Sequence, residues 1–506
     1  MGADAARWFA RGLPVLLACA VLGALGALAF APLAWWPLSI LCVAGLWWLW
    51  DRQSPRMAAW GGFAYGAGLF GVGTYWTFTA VHVVSRVPIP LALLLTIGLI
   101  VIMASYYALV GWLYARVRLG RPLIDHVTVL PALWLLMEWF RGWFLTGFPW
   151  LSLGYAQIDT PLAGYAQFLG VYGVGLAAAL VAAGLLAFAS GAYRLGTVTV
   201  LAVYALGFAL RFVTFVHASG PPVTVAIVQG AISQDEKWLE ENRAPTLELY
   251  RRMTESAYGS QVIFWPESTL PQLYHELVPY LSGIYNGARA RHSDLVLGLV
   301  RYDADTNSIR NGLVALGDDE QWYYKRHLVP FGEYLPIPNF VREWLRVKNL
   351  AFFDLTPGEP GQAPLAAASL RLGESICYED SYGSEQLAVL GRANALVNVS
   401  NDAWFGDSSA PHQHLQITRM RSLEAGRYMV RATNNGISAI IAPDGRVLAR
   451  SRQFVPEVLR GSVTPYEGLT PYARLRNYPV LALCVAALAG AGLARRRRGG
   501  VMSGSN

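Results

Sequence analysis

The stretch Gly373-Glu374-Ser375-Ile376-Cys377-Tyr378-Glu379-Asp380 places a thiol directly after a short apolar run and next to carboxylates. Cys377 is the only cysteine between residues 217 and 477, so it has no disulfide partner in that region. Its thiol is a candidate nucleophile, although a buried core cysteine is the alternative that these residues alone leave open. The other cysteines lie inside long apolar stretches, where a thiol usually acts as a small apolar side chain: Cys19, Cys42 and Cys484.

Short apolar runs recur on both sides of this stretch. They lie at 224–228, 262–265, 295–299, 312–316, 395–399 and 438–441, and helical patterns lie between several of them, at 236–258, 276–292 and 414–429. Apolar strands that alternate with helices predict an α/β layered domain whose sheet is covered by helices. The pair Asp444-Gly445 predicts a hairpin turn near the end of this domain.

The rest of the chain has the composition of a membrane protein. Of its 506 residues, 54% are hydrophobic and 14% are charged, against roughly a quarter charged in soluble domains. A membrane helix needs about 20 apolar residues, and eight segments qualify: 13–31, 34–50, 58–80, 89–114, 124–145, 163–190, 195–216 and 478–494. We read the first as an uncleaved signal anchor, because six further spans follow it before the polar region.

These spans divide the chain into three parts. We predict a polytopic α-helical membrane domain of seven helices over residues 1–217 and an extracytoplasmic α/β domain over residues 218–470. Residues 471–506 are predicted to form a C-terminal transmembrane helix and a basic cytoplasmic tail.

The arginines predict the orientation. With a cytoplasmic N-terminus, the opposite short loops carry only Arg86 and Arg141, as the positive-inside rule requires. Both termini are then cytoplasmic, and the net charge of +7 follows from membrane topology without a nucleic-acid partner. The arginines at the cytoplasmic ends are Arg7, Arg11, Arg52, Arg56, Arg116, Arg118, Arg121, Arg194 and Arg495 to Arg498.

Three polar residues each directly follow an apolar run of the predicted α/β domain. Glu267 follows Val262-Ile263-Phe264-Trp265-Pro266, Lys325 follows Gln321-Trp322-Tyr323-Tyr324, and Cys377 follows Ser375-Ile376. A carboxylate, an ammonium and a thiol would supply a general base, a cation that stabilises an oxyanion, and a nucleophile. Taken singly, Glu267 could be a turn carboxylate and Lys325 a surface charge.

Together, these segments resemble a known family. The stretches 264–269, 324–334 and 375–380 resemble the Glu, Lys and Cys motifs of the carbon-nitrogen hydrolase (nitrilase) superfamily. With seven spans before them and one after, the chain is most similar to the apolipoprotein N-acyltransferase family. The segments 399–407, 419–421 and 433–436 also resemble that family, so the resemblance covers essentially the whole chain.

The resemblance implies the site residues. The triad of the family falls on Glu267, Lys325 and Cys377, and further active-site positions fall on Glu333, Tyr378, Glu379 and, on a looser motif, Trp238. An aromatic residue on an amphipathic helix remains the alternative for Trp238.

The resemblance also implies the fold and the reaction. It implies a nitrilase-like αββα sandwich joined to a membrane bundle in the bacterial inner membrane. A fatty acyl chain would pass from the sn-1 position of a phospholipid, with phosphatidylethanolamine as the expected donor, to Cys377 as a thioester. It would then pass to the N-terminal amine of a diacylglyceryl apolipoprotein. We expect no cofactor, and one complete site per chain favours a monomer.

Two other functions remain open from the residues alone. A membrane-anchored amidase or nitrilase would hydrolyse a small amide, and a transporter or scaffold would only bind. The pair Glu138 and Arg141 is the main ionisable feature within the spans that a transporter could use. His412 and His414 lack a ligand cluster around them, so a metal site is not expected. The stretch 340–353 mixes aromatic and basic residues, and either an interfacial lid or an ordinary amphipathic helix fits it.

Overall fold

A computed structural model of the chain describes residues 3–334 and 354–503. The stretch 340–353, for which a lid was considered, lies outside the described residues. The chain divides into two compact units. The helical unit comprises Met1–Thr214, Phe405–Gln416 and Thr470–Asn506, and the sheet unit comprises Phe215–Trp404 and Ile417–Leu469.

The described residues form fifteen α-helices and several shorter helical turns. The α-helices are α1 (Ala3–Ala27), α2 (Pro37–Trp50), α3 (Pro55–Gly73), α4 (Trp76–Phe78), α5 (Ile89–Val117), α6 (Pro122–Val127), α7 (Val129–Arg141), α8 (Ala166–Ala189), α9 (Tyr193–Leu210), α10 (Glu240–Ala257), α11 (Tyr274–Arg289), α12 (Gly383–Gln386), α13 (Ala410–Ala425), α14 (Pro471–Leu475) and α15 (Tyr478–Ser503). The shorter turns are a π-helix, Thr79–Val84, and 3-10 helices at Phe144–Thr146, Tyr155–Gln157, Pro161–Tyr165, Cys377–Ser381, Leu387–Val389 and Asp402–Phe405.

Each of the eight predicted apolar segments falls largely on a helix of the helical unit. Among the described residues, five segments are long and apolar enough to cross a membrane: Ile89–Val117, Pro122–Arg141, Pro161–Ala189, Tyr193–Leu210 and Tyr478–Arg495. The helices Gly12–Ala27 and Pro37–Trp50 are apolar but shorter. In the predicted segment 58–80, α3 ends at Gly73, where the Thr74 hydroxyl donates to the Phe70 carbonyl.

Glycines allow the first helices of the helical unit to pack closely. A Cβ atom at Gly62 of α3 would collide with the Tyr107 carbonyl of α5, and one at Gly23 of α1 would collide with the Tyr65 carbonyl of α3. Lipid gives no hydrophobic driving force between helices, so close backbone contact supplies the packing energy.

Fourteen strands are described, twelve of them in two six-stranded sheets. The strands are β1 (Val216–Ala218), β2 (Val223–Gln229), β3 (Val262–Phe264), β4 (Asp294–Asp303), β5 (Ser308–Leu316), β6 (Glu320–Tyr324), β7 (Leu365–Ala367), β8 (Leu370–Ile376), β9 (Ala395–Ser400), β10 (Met429–Thr433), β11 (Ala439–Ile441), β12 (Val447–Arg450), β13 (Glu457–Val463) and β14 (Tyr466–Gly468). One sheet has the order β13-β2-β3-β4-β5-β6, the other has the order β12-β11-β10-β9-β8-β7, and β1 pairs with β14.

The two sheets share one apolar core. Side chains such as Val225 and Phe264 of the first sheet pack in one cluster with Val397 and Val430 of the second. On its other face, the first sheet packs against α10 and α11 through residues such as Leu281. Strands that are buried on both faces consist of continuous apolar residues. The apolar runs in the sequence therefore predicted the α/β layers.

Local signals explain the ends of the remaining elements. The helical pattern 414–429 corresponds to α13, which begins at Ala410 and ends at Ala425, because Gly426 adopts a positive φ of 61°. The hairpin predicted at Asp444-Gly445 is confirmed, since β11 and β12 pair antiparallel and Gly445 has a φ of 80°.

Candidate active site

The sheets bring the three predicted residues to neighbouring strand ends. Glu267 follows β3 and Lys325 follows β6 of one sheet, while Cys377 follows β8 of the other. All three side chains are buried: Glu267 is 6% exposed, Lys325 1% and Cys377 8%. A buried charge is costly unless it is paired, so the partners of these groups define the site.

Lys325 is paired with two carboxylates. Its Nζ lies 3.2 Å from Oε1 of Glu267 and 2.8 Å from Oε1 of Glu333. Burial alone would lower the pKa of Lys325, but the two carboxylates raise it well above its ordinary value. Lys325 is therefore a permanent cation near neutral pH.

The Glu267 carboxylate is held by three donors. Its Oε1 accepts from Nδ2 of Asn311 at 2.8 Å and from Lys325, and its Oε2 accepts from the backbone N–H of Asn401 at 2.9 Å. Asn311 also reaches Oε1 of Glu333 at 3.3 Å. Donors on both oxygens fix the orientation of the carboxylate.

Cys377 sits on a strained turn. Its φ is 55°, in the left-handed region that non-glycine residues rarely adopt. Nδ2 of Asn398 donates to the Cys377 carbonyl at 2.9 Å and to Oγ of Ser375 at 3.0 Å, which secures the turn from the neighbouring strand β9. Strain of this kind, held by surrounding structure, is typical of functional positions.

The charges around Cys377 act on its thiol in opposite directions. Burial raises the pKa of Cys377 well above its usual value, and the Glu267 carboxylate raises it further. Lys325 lowers this pKa without outweighing burial. The resting group is thus a thiol, so nucleophilic attack requires a base to take its proton.

Glu379 joins three segments of the site. Its Oε1 accepts from the backbone N–H groups of Arg326 at 2.7 Å and His327 at 3.0 Å. Its Oε2 accepts from the N–H of Ile376 at 2.7 Å and from the Tyr323 hydroxyl at 3.0 Å. Burial raises the pKa of Glu379, while the backbone donors oppose that shift. Glu379 thereby ties the Lys325 turn to the Cys377 turn.

Tyr378 and Trp238 differ in their relation to the site. The Tyr378 hydroxyl donates to the Leu328 carbonyl at 2.7 Å, and Nζ of Lys325 lies 5.8 Å from the centre of the Tyr378 ring. Trp238 lies in the turn before α10, and its side chain is 54% exposed. Within the described part of the chain, Trp238 makes no hydrogen bond or ring contact with the triad.

Sequence reasoning missed four residues that surround the triad. Asn311, Asn398, Asn401 and Lys237 are all buried. Asn401 lies in the segment 399–407 that the resemblance singled out, and Lys237 directly precedes Trp238. Asn311 carries no motif signal, since it faces Glu267 only through the pairing of β5 with its neighbours. Across the described ranges, no cluster of three metal-ligating side chains is present.

Comparisons with known proteins agree with the architecture. Residues 22–184 match the family model of the apolipoprotein N-acyltransferase N-terminal domain, and residues 224–468 match that of carbon-nitrogen hydrolases. The chain is 42% identical to an apolipoprotein N-acyltransferase of Azotobacter vinelandii, over 97% of both chains. It is 40% identical to one of Methylococcus capsulatus, over 93% of this chain and 94% of the relative.

A solved structure is also similar in part. Saccharomyces cerevisiae Nit3, a nitrilase-superfamily protein, is 17% identical with a TM-score of 0.37, over 49% of this chain and 93% of the other. Both family models and near full-length identity of about 40% to two relatives show the same affiliation. The chain belongs to the apolipoprotein N-acyltransferase family, membrane acyltransferases built on a carbon-nitrogen hydrolase domain.

Proposed function

We propose that this acyltransferase works by a two-step transfer through a thioester on Cys377. Glu267 is the general base, Cys377 is the nucleophile, and Lys325 stabilises the oxyanion together with a backbone N–H near Tyr378. The observation that carries this assignment is the buried cluster itself. An oriented carboxylate and a permanent cation both act electrostatically on a thiol that is otherwise protonated.

The first half-reaction acylates the enzyme. Glu267 takes the Sγ proton of Cys377, and the sulfur attacks the sn-1 ester carbonyl of a phospholipid, for which we propose phosphatidylethanolamine. This attack forms the C–S bond. The ester C–O bond breaks when the tetrahedral intermediate collapses. Glu267 returns its proton to the departing alkoxide, and a lysophospholipid leaves.

The second half-reaction forms the amide. The free α-amino group of an S-diacylglyceryl cysteine attacks the thioester carbonyl, an N–C bond forms, and the C–S bond breaks. Glu267 accepts a proton from the amine and passes it to the departing thiolate, which restores both the carboxylate of Glu267 and the thiol of Cys377. Water is the competing acceptor, so a site that excludes water favours transfer over hydrolysis.

We further propose that the site faces outward from the bacterial inner membrane in a monomer. The arginine distribution supports cytoplasmic termini and a periplasmic catalytic domain over residues 218–470. Both substrates are lipid-anchored, so a site held at the membrane surface benefits from their confinement in one plane.

Intact-mass spectrometry tests this function. The purified chain is incubated with phosphatidylethanolamine and then with a diacylglyceryl-cysteine peptide. We expect a fatty-acyl mass increment on the enzyme that moves to the peptide amine. Cys377→Ala should abolish the increment, whereas Cys484→Ala, a matched change of a buried cysteine in α15, should leave it intact. An adduct that passes only to water, or no adduct, would overturn the transferase and favour an amidase.

A further inference from the structure

Lysine is rare in this chain, and its positions are informative. Of 40 lysines and arginines, three are lysines: Lys237, Lys325 and Lys348. Lys348 lies outside the described residues, and the other two are both only 1% exposed. An ammonium is a compact point charge, whereas a guanidinium is a broad, planar group. In a chain whose cations are otherwise mostly arginines, these two lysines both occupy fully buried positions.

Lys237 contacts the turn that carries Glu267. Its Nζ donates to the backbone carbonyl of Ser268, the residue that follows Glu267. Ser268 has a φ of 44°, so this turn is strained, and a non-glycine residue holds such a conformation only when its surroundings enforce it. Lys237 supplies one of those constraints from outside the turn.

The loop that carries Lys237 also contacts Asn401, which donates to Glu267. Oε1 of Gln234 accepts from Nδ2 of Asn401 at 2.7 Å, and the backbone N–H of Asn401 donates to Oε2 of Glu267. The N–H of Lys237 donates to the Ser233 carbonyl at 3.0 Å, which closes the turn between them. Residues 233–237 thus contact two segments next to Glu267, one at Ser268 and one at Asn401.

Lys237 adds a second buried cation near the Glu267 carboxylate. Lys325 is the first, and it is shared between Glu267 and Glu333. Burial lowers the pKa of Lys237 to about 8, and the Glu267 carboxylate opposes that shift, so the ammonium form still predominates at neutral pH.

We propose that Lys237 is a positioning residue for the general base: its ammonium holds the Glu267 turn through the Ser268 carbonyl. This inference rests on the proposed role of Glu267 as the base. Lys237 is not itself a catalytic residue, because it acts through the Glu267 turn.

Three variants of Lys237 distinguish the effect of its charge from the effect of its hydrogen bond to Ser268. Lys237→Met removes both, Lys237→Gln keeps a donor for the Ser268 carbonyl without the charge, and Lys237→Arg keeps the charge. The first readout is the pH dependence of Cys377 alkylation by iodoacetamide, which needs no lipid substrate. The second is the rate of acyl-adduct formation, resolved into kcat and KM, and the third is thermal unfolding.

Loss of the ammonium removes a positive charge that acts on the Glu267 carboxylate. The acidic limb of the alkylation profile should therefore move to higher pH in Lys237→Met and Lys237→Gln, whereas the profile of Lys237→Arg should stay closer to that of the unaltered chain. Below the limb the rate should fall about tenfold for each pH unit of displacement. In acyl-adduct formation kcat should fall while KM changes little, because Lys237 is proposed to act on the base.

Two results would overturn the inference. One is an acidic limb of the alkylation profile that stays at the same pH in Lys237→Gln. That result would show that Lys237 acts only through its hydrogen bond to Ser268. The other is full activity in Lys237→Met. If Lys237→Met does not fold, the comparison of Lys237→Gln with Lys237→Arg still tests the inference. A failure of the unaltered chain to form an acyl adduct would instead contradict the proposed function, and the alkylation profile would still report on Lys237.

Discussion

The Glu267 carboxylate has donors on both oxygens, and its charge adds to burial in raising the pKa of the Cys377 thiol. Glu267→Gln keeps the volume of the side chain and removes the base. We expect acyl-adduct formation to fall by about 10² to 10⁴, the usual contribution of general acid–base catalysis. Stopped-time intact-mass spectrometry measures this rate, with Glu276→Gln on α11 as a control. A near-normal rate for Glu267→Gln would assign the base to another group.

Glu333 is the second carboxylate on Lys325, and its removal should change the alkaline behaviour of the protein. The folded pKa of Lys325 is raised, so its ion pairs contribute stability in full below the unfolded value of about 10.4. That stability is lost only as the pH rises through the higher folded pKa. In Glu333→Gln one charge that raises the folded pKa of Lys325 is gone, so the loss should be smaller and complete at a lower pH.

Thermal unfolding as a function of pH, between neutral and alkaline buffers, measures this change. Glu320→Gln, on the same sheet but away from Lys325, is the control. Parallel curves for Glu333→Gln and the unaltered chain would contradict the assigned pairing.

Strand β4 packs directly against the Glu267 turn. A Cβ atom at Gly298 would collide with the Pro266 carbonyl and the Cα of Glu267, and the Gly298 carbonyl accepts from the N–H of Thr269 at 2.8 Å. Gly298→Ala should therefore push Glu267 out of place, and a displacement of about 1 Å can cost on the order of 10² in rate.

Acyl-adduct formation tests this displacement, beside circular dichroism to confirm folding. Gly283→Ala is the matched control, because a Cβ at that position on α11 meets nothing within 4 Å. Equal rates for both alanine variants would show that the turn accommodates the methyl group.

Each of Glu267, Lys325 and Cys377 directly follows an apolar run, and the resemblance to the family, rather than these runs alone, singled them out as a triad. The sequence could not predict Asn311, whose contact with Glu267 depends on how β5 pairs with β6: the N–H of Lys325 donates to the Asn311 carbonyl. That register is set by contacts across the sheet rather than by local pattern. Lys237 was missed for a related reason, since its partner Ser268 lies 31 residues away.

The helical unit includes a short stretch that lies within the hydrolase region of the sequence, Phe405–Gln416. Within that unit, Oε1 of Gln413 accepts from the indole N–H groups of Trp76 at 3.1 Å and Trp150 at 3.0 Å. Its Nε2 donates to the Gly73 carbonyl at 3.0 Å. The chain therefore passes between the two units four times.

Gln413→Ala should destabilise the helical unit. It leaves two buried indole donors and a carbonyl without this partner, at about 1 to 3 kcal/mol for each unsatisfied group. The midpoint of thermal unfolding in detergent should fall, whereas Gln167→Ala, at a partly exposed position of α8, should have little effect. An unchanged midpoint for Gln413→Ala would mean that water replaces the lost amide.

The protonated state of Cys377 has a consequence for redox chemistry. Disulfide exchange and oxidation to sulfenic acid both proceed through a thiolate, and burial suppresses that form in the resting protein. In the proposed mechanism Cys377 becomes reactive only when Glu267 takes its proton. Such a nucleophile should react slowly with oxidants between turnovers, without a reductant to maintain it.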